Sequence, residues 1–293
     1  MTDDFLKWSD IPYGGEKRVP DDHVDPEADS WPMYYLDRRG DRFFGPDGNI
    51  HFDVRQPDTI DWDKQLKIVQ YYLENITNRQ IQIAKYWGTG AATKQWTPVI
   101  DRLIDTYDLT PTRAARVLAA VHAGINDTFV VTWYYKYLWN VARPIQYDPK
   151  LKTVLCTPRF PTYISGHAAV SGCVQTMLSY FFPGEAHRLK EMAEENANSR
   201  LYGGVHFPID NEEGLKLGRR IGTIITRELS KQRQENRRYV DIPFRENRNA
   251  QLQPPPYTQT IPYDFNESCA SRTRDSKSTS HYGDPPRPKL YID

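Results

Sequence analysis

From Asp61 onward apolar residues recur at helical spacing: Leu66, Ile68, Val69, Tyr72, Leu73 and Ile76 form one stripe. The pattern predicts a helix from Asp61 to about Trp87, where Gly88 and Gly90 stop it. A second helix is predicted over about Trp96–Tyr107. Thr110-Pro111 reads as an N-cap followed by proline at the first helical position, and it opens a long helix from Thr112 to about Ala142 that ends before Arg143-Pro144. Further helices are expected from Ser165 to Phe182, over about Glu185–Ser199 and over about Asn211–Lys231. Strand patterning is nearly absent, apart from a short hairpin around Phe44–Asp53 with Pro46-Asp47-Gly48 as its turn. Successive helices with short connections predict an all-α helical bundle occupying residues 59–233.

The flanks read differently. Residues 1–58 mix Pro, Gly, Asp and aromatics without a sustained period and are expected to form an extended arm on the surface. Residues 234–293 turn to Arg, Asn, Gln, Pro and Ser, a composition that does not supply a core, so an extended or disordered tail is expected, one that allows wrapping of a partner subunit in a homo-oligomer.

Composition narrows the function classes. The 293 residues carry 38 basic and 38 acidic side chains, so no global positive field exists to attract nucleic acid or an anionic membrane. Any anion must be held locally. The apolar runs Val117–Ile125 and Ala168–Phe182 are short or interrupted, which predicts no membrane span, and no secretory leader is visible, which makes the cytoplasm the expected location. Cys156, Cys173 and Cys269 are too scattered for a disulfide framework or zinc site and are expected to be free thiols.

Three clusters point to anion chemistry. Lys136, Asn140 and Arg143 are spaced to share one face of the long helix, with Trp133 one turn earlier. Two cations on a face otherwise rich in Tyr, Leu, Val and Trp need a compensating anion if that face is buried. In Arg159-Phe160-Pro161-Thr162-Tyr163-Ile164-Ser165-Gly166-His167 a loop enters a helix at Ser165, where free amides and the helix dipole favour an anion beside His167. Finally, Ser199-Arg200 is followed by Gly203-Gly204, His206 and Asp210. Asp210 is placed to accept from one ring nitrogen of His206 and leave the other unprotonated. His122 and Asp127 also lie on the long helix, where core packing is the expected role; His23, His51, His187 and His281 show no ligand-like spacing.

Taken together, Lys136-x6-Arg143-Pro144, Ser165-Gly166-His167 and Ser199-Arg200-x5-His206-x3-Asp210 resemble the signature of the type 2 phosphatidic acid phosphatase superfamily, which also holds the vanadium haloperoxidases. One position departs: Ile164 stands where the family usually has proline. The resemblance covers about residues 61–230 and implies a helical fold. It implies that Lys136, Arg143, Ser165, Gly166 and Arg200 grip vanadate or phosphate, that His206 ligates vanadate or attacks phosphorus, and that His167 moves protons. Trp133 and Phe160 resemble the aromatic pair that chloride-using members place beside the metal. The expected activity is halide oxidation by hydrogen peroxide with vanadate as cofactor. Phosphomonoester hydrolysis through a phosphohistidine is the alternative, and a helical interaction protein with a vestigial site is the third reading.

Overall fold

The computed structural model describes residues 5–261 and 269–270. Eight helices and one small sheet are present among them: α1 (Trp62–Glu74), α2 (Asn78–Gly88), α3 (Trp96–Thr106), α4 (Pro111–Trp139), α5 (Pro144–Tyr147), α6 (Gly166–Phe181), α7 (Ala186–Tyr202) and α8 (Pro208–Lys231), preceded by β1 (Asp37–Arg39), β2 (Arg42–Gly45) and β3 (Gly48–Ile50). The fold is the mostly helical one expected, with four differences in the elements.

The stripe from Asp61 to Trp87 is two helices, because Thr77 and Gln80 form a reciprocal cap that restarts the chain after Asn75-Ile76. The long helix stops at Asn140, whose left-handed backbone (φ 53°) ends it three residues before Arg143. Arg143 therefore precedes α5 and does not share a helical face with Lys136. The expected hairpin is the second half of a three-stranded antiparallel meander, with Gly45 opposite Gly48 across the Pro46-Asp47 turn. The last two helices also run further than expected: α7 extends to Tyr202 and so carries Arg200, and α8 begins at Pro208 and so carries Asp210 in its first turn.

α6 is the centre of the core, packed against α4, α7 and most extensively α8. Glycines make that last approach possible: a Cβ on Gly218 would fall 1.8 Å from the Ala169 carbonyl oxygen and one on Gly214 would fall 2.7 Å from that of Ser165. Neither helix backbone can yield to it locally. Gly218→Ala is expected to destabilise the protein by at least about 3 kcal/mol, the upper part of the usual overpacking range, seen as a lowered denaturant midpoint. An unchanged midpoint would show that the two helices slide freely.

The arms do not simply lie on the surface. Trp8 is fully buried, its indole N–H donating to Tyr13 Oη at 2.7 Å, while its backbone amide donates to the Asn140 carbonyl. Leu36, Phe43, Phe52 and Val54 also enter the core. Asp127 on α4 accepts from the backbone amides of Tyr34, Tyr35 and Leu36 at 2.8, 2.7 and 3.1 Å, so its role is to anchor the arm. In the tail, Phe244 stacks on Phe182 at 5.5 Å between ring centroids, and Ala250 and Leu252 are buried. Aromatic and apolar residues too sparse to show a period still find core positions once backbone hydrogen bonds fix their segment.

The cysteine expectation is corrected. Cys156 and Cys269 are disulfide-bonded, and the buried Cys173 is the free thiol, pushed up to about 12 by burial. Under denaturing, non-reducing conditions one thiol per chain is expected to react with a thiol reagent, and three after reduction. Three reactive thiols without reductant would contradict the pairing. Since disulfides persist chiefly in oxidising compartments, the same titration on freshly isolated protein bears on the expected cytoplasmic location.

Candidate active site

The three clusters meet at one buried point. Lys136, on the last turn of α4, is completely buried and donates from Nζ to the carbonyls of Pro161 and Thr162 at 2.8 and 2.9 Å. An ammonium has three protons, so one remains. Arg143 arrives from beyond the Asn140 stop: Nε donates to Phe160 O (2.9 Å), and Nη1 to Val205 O (2.8 Å) and to His206 Nε2 (3.0 Å). Its Nη2 makes no hydrogen bond among the described residues. The Tyr13 hydroxyl, which accepts from Trp8 Nε1 and donates to the Pro158 carbonyl, lies beside the guanidinium and favours its charged form. Arg200 lies on the last turn of α7, nearly buried, with its charge acting on Lys136 and both histidines.

Ser165 caps α6 as expected, its Oγ accepting from the Ala168 amide and its carbonyl from the Ala169 amide. Gly166 and His167 are thereby the first two helical residues, whose amides have no partner within the helix. His167 is held by a hydrogen bond with the Trp87 backbone, and its Nε2 is buried with no partner among the described residues.

His206 precedes α8, whose first turn carries Asp210. Nδ1 of His206 lies 2.8 Å from Asp210 Oδ2, and that same oxygen accepts from Phe207 N (3.0 Å) and from Thr162 Oγ1 (2.5 Å). Donation from Nδ1 to Asp210 and from Arg143 to Nε2 fixes His206 as the neutral tautomer with its Nε2 lone pair toward the guanidinium. Thr162, which also lies 3.1 Å from Nδ1, was not among the expected site residues; a single hydroxyl in a loop carries no periodic signal, and only its place two residues after Phe160 hinted at it.

Electrostatics agree with the geometry. Burial, then Arg143, Lys136 and Arg200, holds His206 well below its ordinary value; burial, then Arg200, Lys136 and Arg143, does the same to His167. Burial also pulls Lys136 and Arg143 down. Burial pushes Asp210 up to about 6, while Thr162, Lys136, the Phe207 amide and Arg143 pull it back toward the carboxylate. Asp210 is the carboxylate acting on Lys136 and Arg143, one negative charge against three cationic side chains. Three cationic side chains against one carboxylate leave the buried cluster with an excess of positive charge.

Trp133 and Phe160 stand 4.9 Å apart between ring centroids, and the Lys136 and Arg143 cations lie 5.0 and 4.8 Å from the Phe160 ring. Every expected site residue is thus in or beside the cluster, whereas His122 and Asp127 are not part of it.

Fold and site together define a helical domain with a buried cluster of cationic side chains beside two histidines. Residues 115–234, which carry that site, match the model of the PAP2 superfamily. Among solved structures the chain is similar to a bacterial vanadium-dependent iodoperoxidase, with a TM-score of 0.61 and 24% identity over 76% of this chain and 60% of that one. It is also similar to the holo form of a bacterial vanadium-dependent chloroperoxidase, with a TM-score of 0.57 and 12% identity over 70% of this chain and 54% of that one. The chain thus spans little more than half the length of either, and at these identities the likeness is one of fold. No curated protein sequence matches the chain. Among the described residues no helix is long and apolar enough to cross a membrane.

Asp210→Asn keeps the shape but removes the charge that orients His206. Turnover is expected to fall about ten- to a hundredfold, the usual effect of losing the carboxylate partner of a working histidine. A change below twofold, measured by initial rates, would show that Arg143 and Thr162 orient the ring alone.

Proposed function

We propose that this chain is a haloperoxidase-type enzyme that holds vanadate in the pocket and oxidises a halide with hydrogen peroxide. The observation that carries the reading is the convergence of buried Lys136, Arg143 and Arg200 on a neutral, Asp210-oriented His206.

The donors suit a tetrahedral oxyanion. Arg143 Nη2 and His167 Nε2 are buried without a described partner, and the open amides of Gly166 and His167 start a helix beside them. Lys136, Arg143, Arg200 and those amides would hold the oxygens, and His206 Nε2 would provide the nitrogen ligand once Arg143 Nη1 turns from it to an oxygen of the anion. Bound vanadate supplies a Lewis-acidic centre that activates peroxide toward a halide. The residues do the rest: Asp210 keeps the Nδ1 proton of His206 in place, Thr162 and the Phe207 amide keep Asp210 ionised, and neutral His167 accepts or returns a proton at Nε2. Trp133 and Phe160 offer an apolar wall for a halide next to the cations.

Hydrolysis of a phosphomonoester is the second reading, favoured by the same neutral Nε2 of His206, which is also what a nucleophile toward phosphorus requires. One experiment separates the readings: the purified full chain is assayed with and without added vanadate for bromide and iodide oxidation, and in parallel for phosphomonoester hydrolysis. Vanadate-dependent halide oxidation that phosphate inhibits is the expected result. Hydrolysis that vanadate inhibits, without halide oxidation, would replace it with the phosphatase reading. Neither activity would leave a helical interaction protein with an inactive pocket.

A further inference from the structure

α2 ends at Gly88, so its last carbonyls, from Lys85 on, must find their donors outside the helix ladder. Thr89 Oγ1 donates to Lys85 O at 2.6 Å, and the side-chain amides of Gln95 and of Gln259, in the tail, donate to Tyr86 O at 2.7 and 2.8 Å. The backbone of Trp87, next in line, is the partner of His167, and the contact favours the protonated ring, as a carbonyl acceptor does and an amide donor would not. Nε2 of His167 has no partner among the described residues, so the bond is made by Nδ1. A carbonyl accepts only from a protonated nitrogen, which leaves the lone pair of the neutral ring on Nε2, facing the pocket.

What fixes Trp87 lies away from the pocket. Its indole is fully buried and donates from Nε1 to Glu195 Oε1 at 3.0 Å, and the other oxygen of that carboxylate accepts from the hydroxyl of Tyr257, in the tail. The Arg79 guanidinium lies 3.9 Å from the centre of the Tyr257 ring and donates to its hydroxyl at 2.9 Å. A hydrogen bond to a carboxylate is directional and roughly twice as strong as a neutral one, so it sets the indole where packing alone would leave room to rotate. Glu195 also stands on α7, the helix that carries Arg200. The end of α2 fits closely against that arginine: a Cβ on Gly88 would fall 3.0 Å from Arg200 Nη1 and 2.4 Å from Leu155 Cδ1.

We propose that Glu195 and Tyr257 are positioning residues for His167: through Trp87 they hold the end of α2 so that its carbonyl keeps the ring turned with Nε2 toward the oxyanion pocket. Neither touches the reacting atoms. The effect on rate rests on the enzymatic reading above, in which His167 moves a proton at Nε2; the orientation of the ring does not depend on which reaction follows.

The test uses the full chain with isotope-labelled histidine, in which nuclear magnetic resonance reads which ring nitrogen carries the proton, the His167 signals being assigned from their loss in His167→Gln. The parent is expected to carry the His167 proton on Nδ1. Glu195→Leu, which removes both acceptor oxygens, is expected to mix the two proton forms and to lower the maximal rate of halide oxidation about tenfold, with the KM for peroxide within about twofold of the parent's. Glu195→Gln keeps an acceptor for the indole and is expected to restore the parent's form and most of its rate. Tyr257→Phe, at a half-buried tail position, is expected to give a smaller shift of the same kind, and it carries the test if Glu195→Leu does not fold. A parent ring protonated on Nε2, or folded variants whose His167 signals match the parent's whatever their rates, overturns the proposal. Ring orientation that answers to Glu195 in a protein that oxidises no halide and hydrolyses no phosphomonoester would sink the enzymatic reading alone. Activity with a ring indifferent to Glu195 and Tyr257 would sink only the positioning.

Discussion

Replacing His206 by alanine is expected to abolish tight vanadate binding and, with it, turnover. The ring is 98% buried, neutral, and held from both sides by Asp210 and Arg143, so its Nε2 is the positioned lone pair of the pocket. Loss of a partner that merely orients a ligating histidine typically costs about ten- to a hundredfold. Removing the histidine itself is expected to cost more than about a hundredfold in affinity. The change opens a cavity next to Arg143 and Lys136, so thermal melts of both proteins must accompany the vanadate titration to separate lost binding from lost structure. A folded His206→Ala variant that binds vanadate like its parent would remove the nitrogen-ligand role, and both proposed chemistries depend on that role.

The second large effect is expected at His167 and should differ in kind. Its Nε2 is buried without a described partner, and burial with Arg200, Lys136 and Arg143 keeps the ring neutral, as a group must be to accept a proton in a cationic pocket. His167→Ala is expected to lower the turnover rate about a hundred- to ten-thousandfold, the usual worth of positioned acid–base help, while vanadate affinity stays within about tenfold. Initial rates at saturating substrate, paired with direct binding, give the comparison. Equal losses of affinity in the two histidine variants would mean that both act as ligands, and an unchanged rate would mean that protons move by another route.

The clusters were readable in the sequence because short-range spacing encodes them: Ser165 caps its helix through a rule that needs only a few neighbouring residues, and Asp210 reaches His206 because they are four apart at a helix start. Arg143 shows where such reading misleads. Helical spacing put it on a face with Lys136, yet the left-handed Asn140 ends the helix first, and the guanidinium reaches the pocket through the carbonyls of Phe160 and Val205. The periodic pattern carries no mark of that stop. Thr162 was invisible for a related reason, since its hydroxyl matters only once the loop before α6 is folded against Asp210.

The arms were hardest to place. Trp8 and Trp31 are isolated aromatics in stretches without a period, and what fixes them is distant: the Asn140 carbonyl for one, the Asp127 carboxylate and the bond from Trp133 to the Val24 carbonyl for the other. The Cys156–Cys269 pairing spans 113 residues, a separation at which sequence offers no register. Of the small sheet only β1 escaped, since its three residues, Asp37–Arg39, carry no apolar position.

A single cationic pocket built for one tetrahedral oxyanion is expected to take up one vanadate per chain. Calorimetric titration of the full chain with vanadate, repeated in the presence of inorganic phosphate, tests it most directly. One saturable site per chain, weakened by phosphate in the manner of a competitor, is the predicted result; no saturable uptake, or uptake indifferent to phosphate, would contradict it.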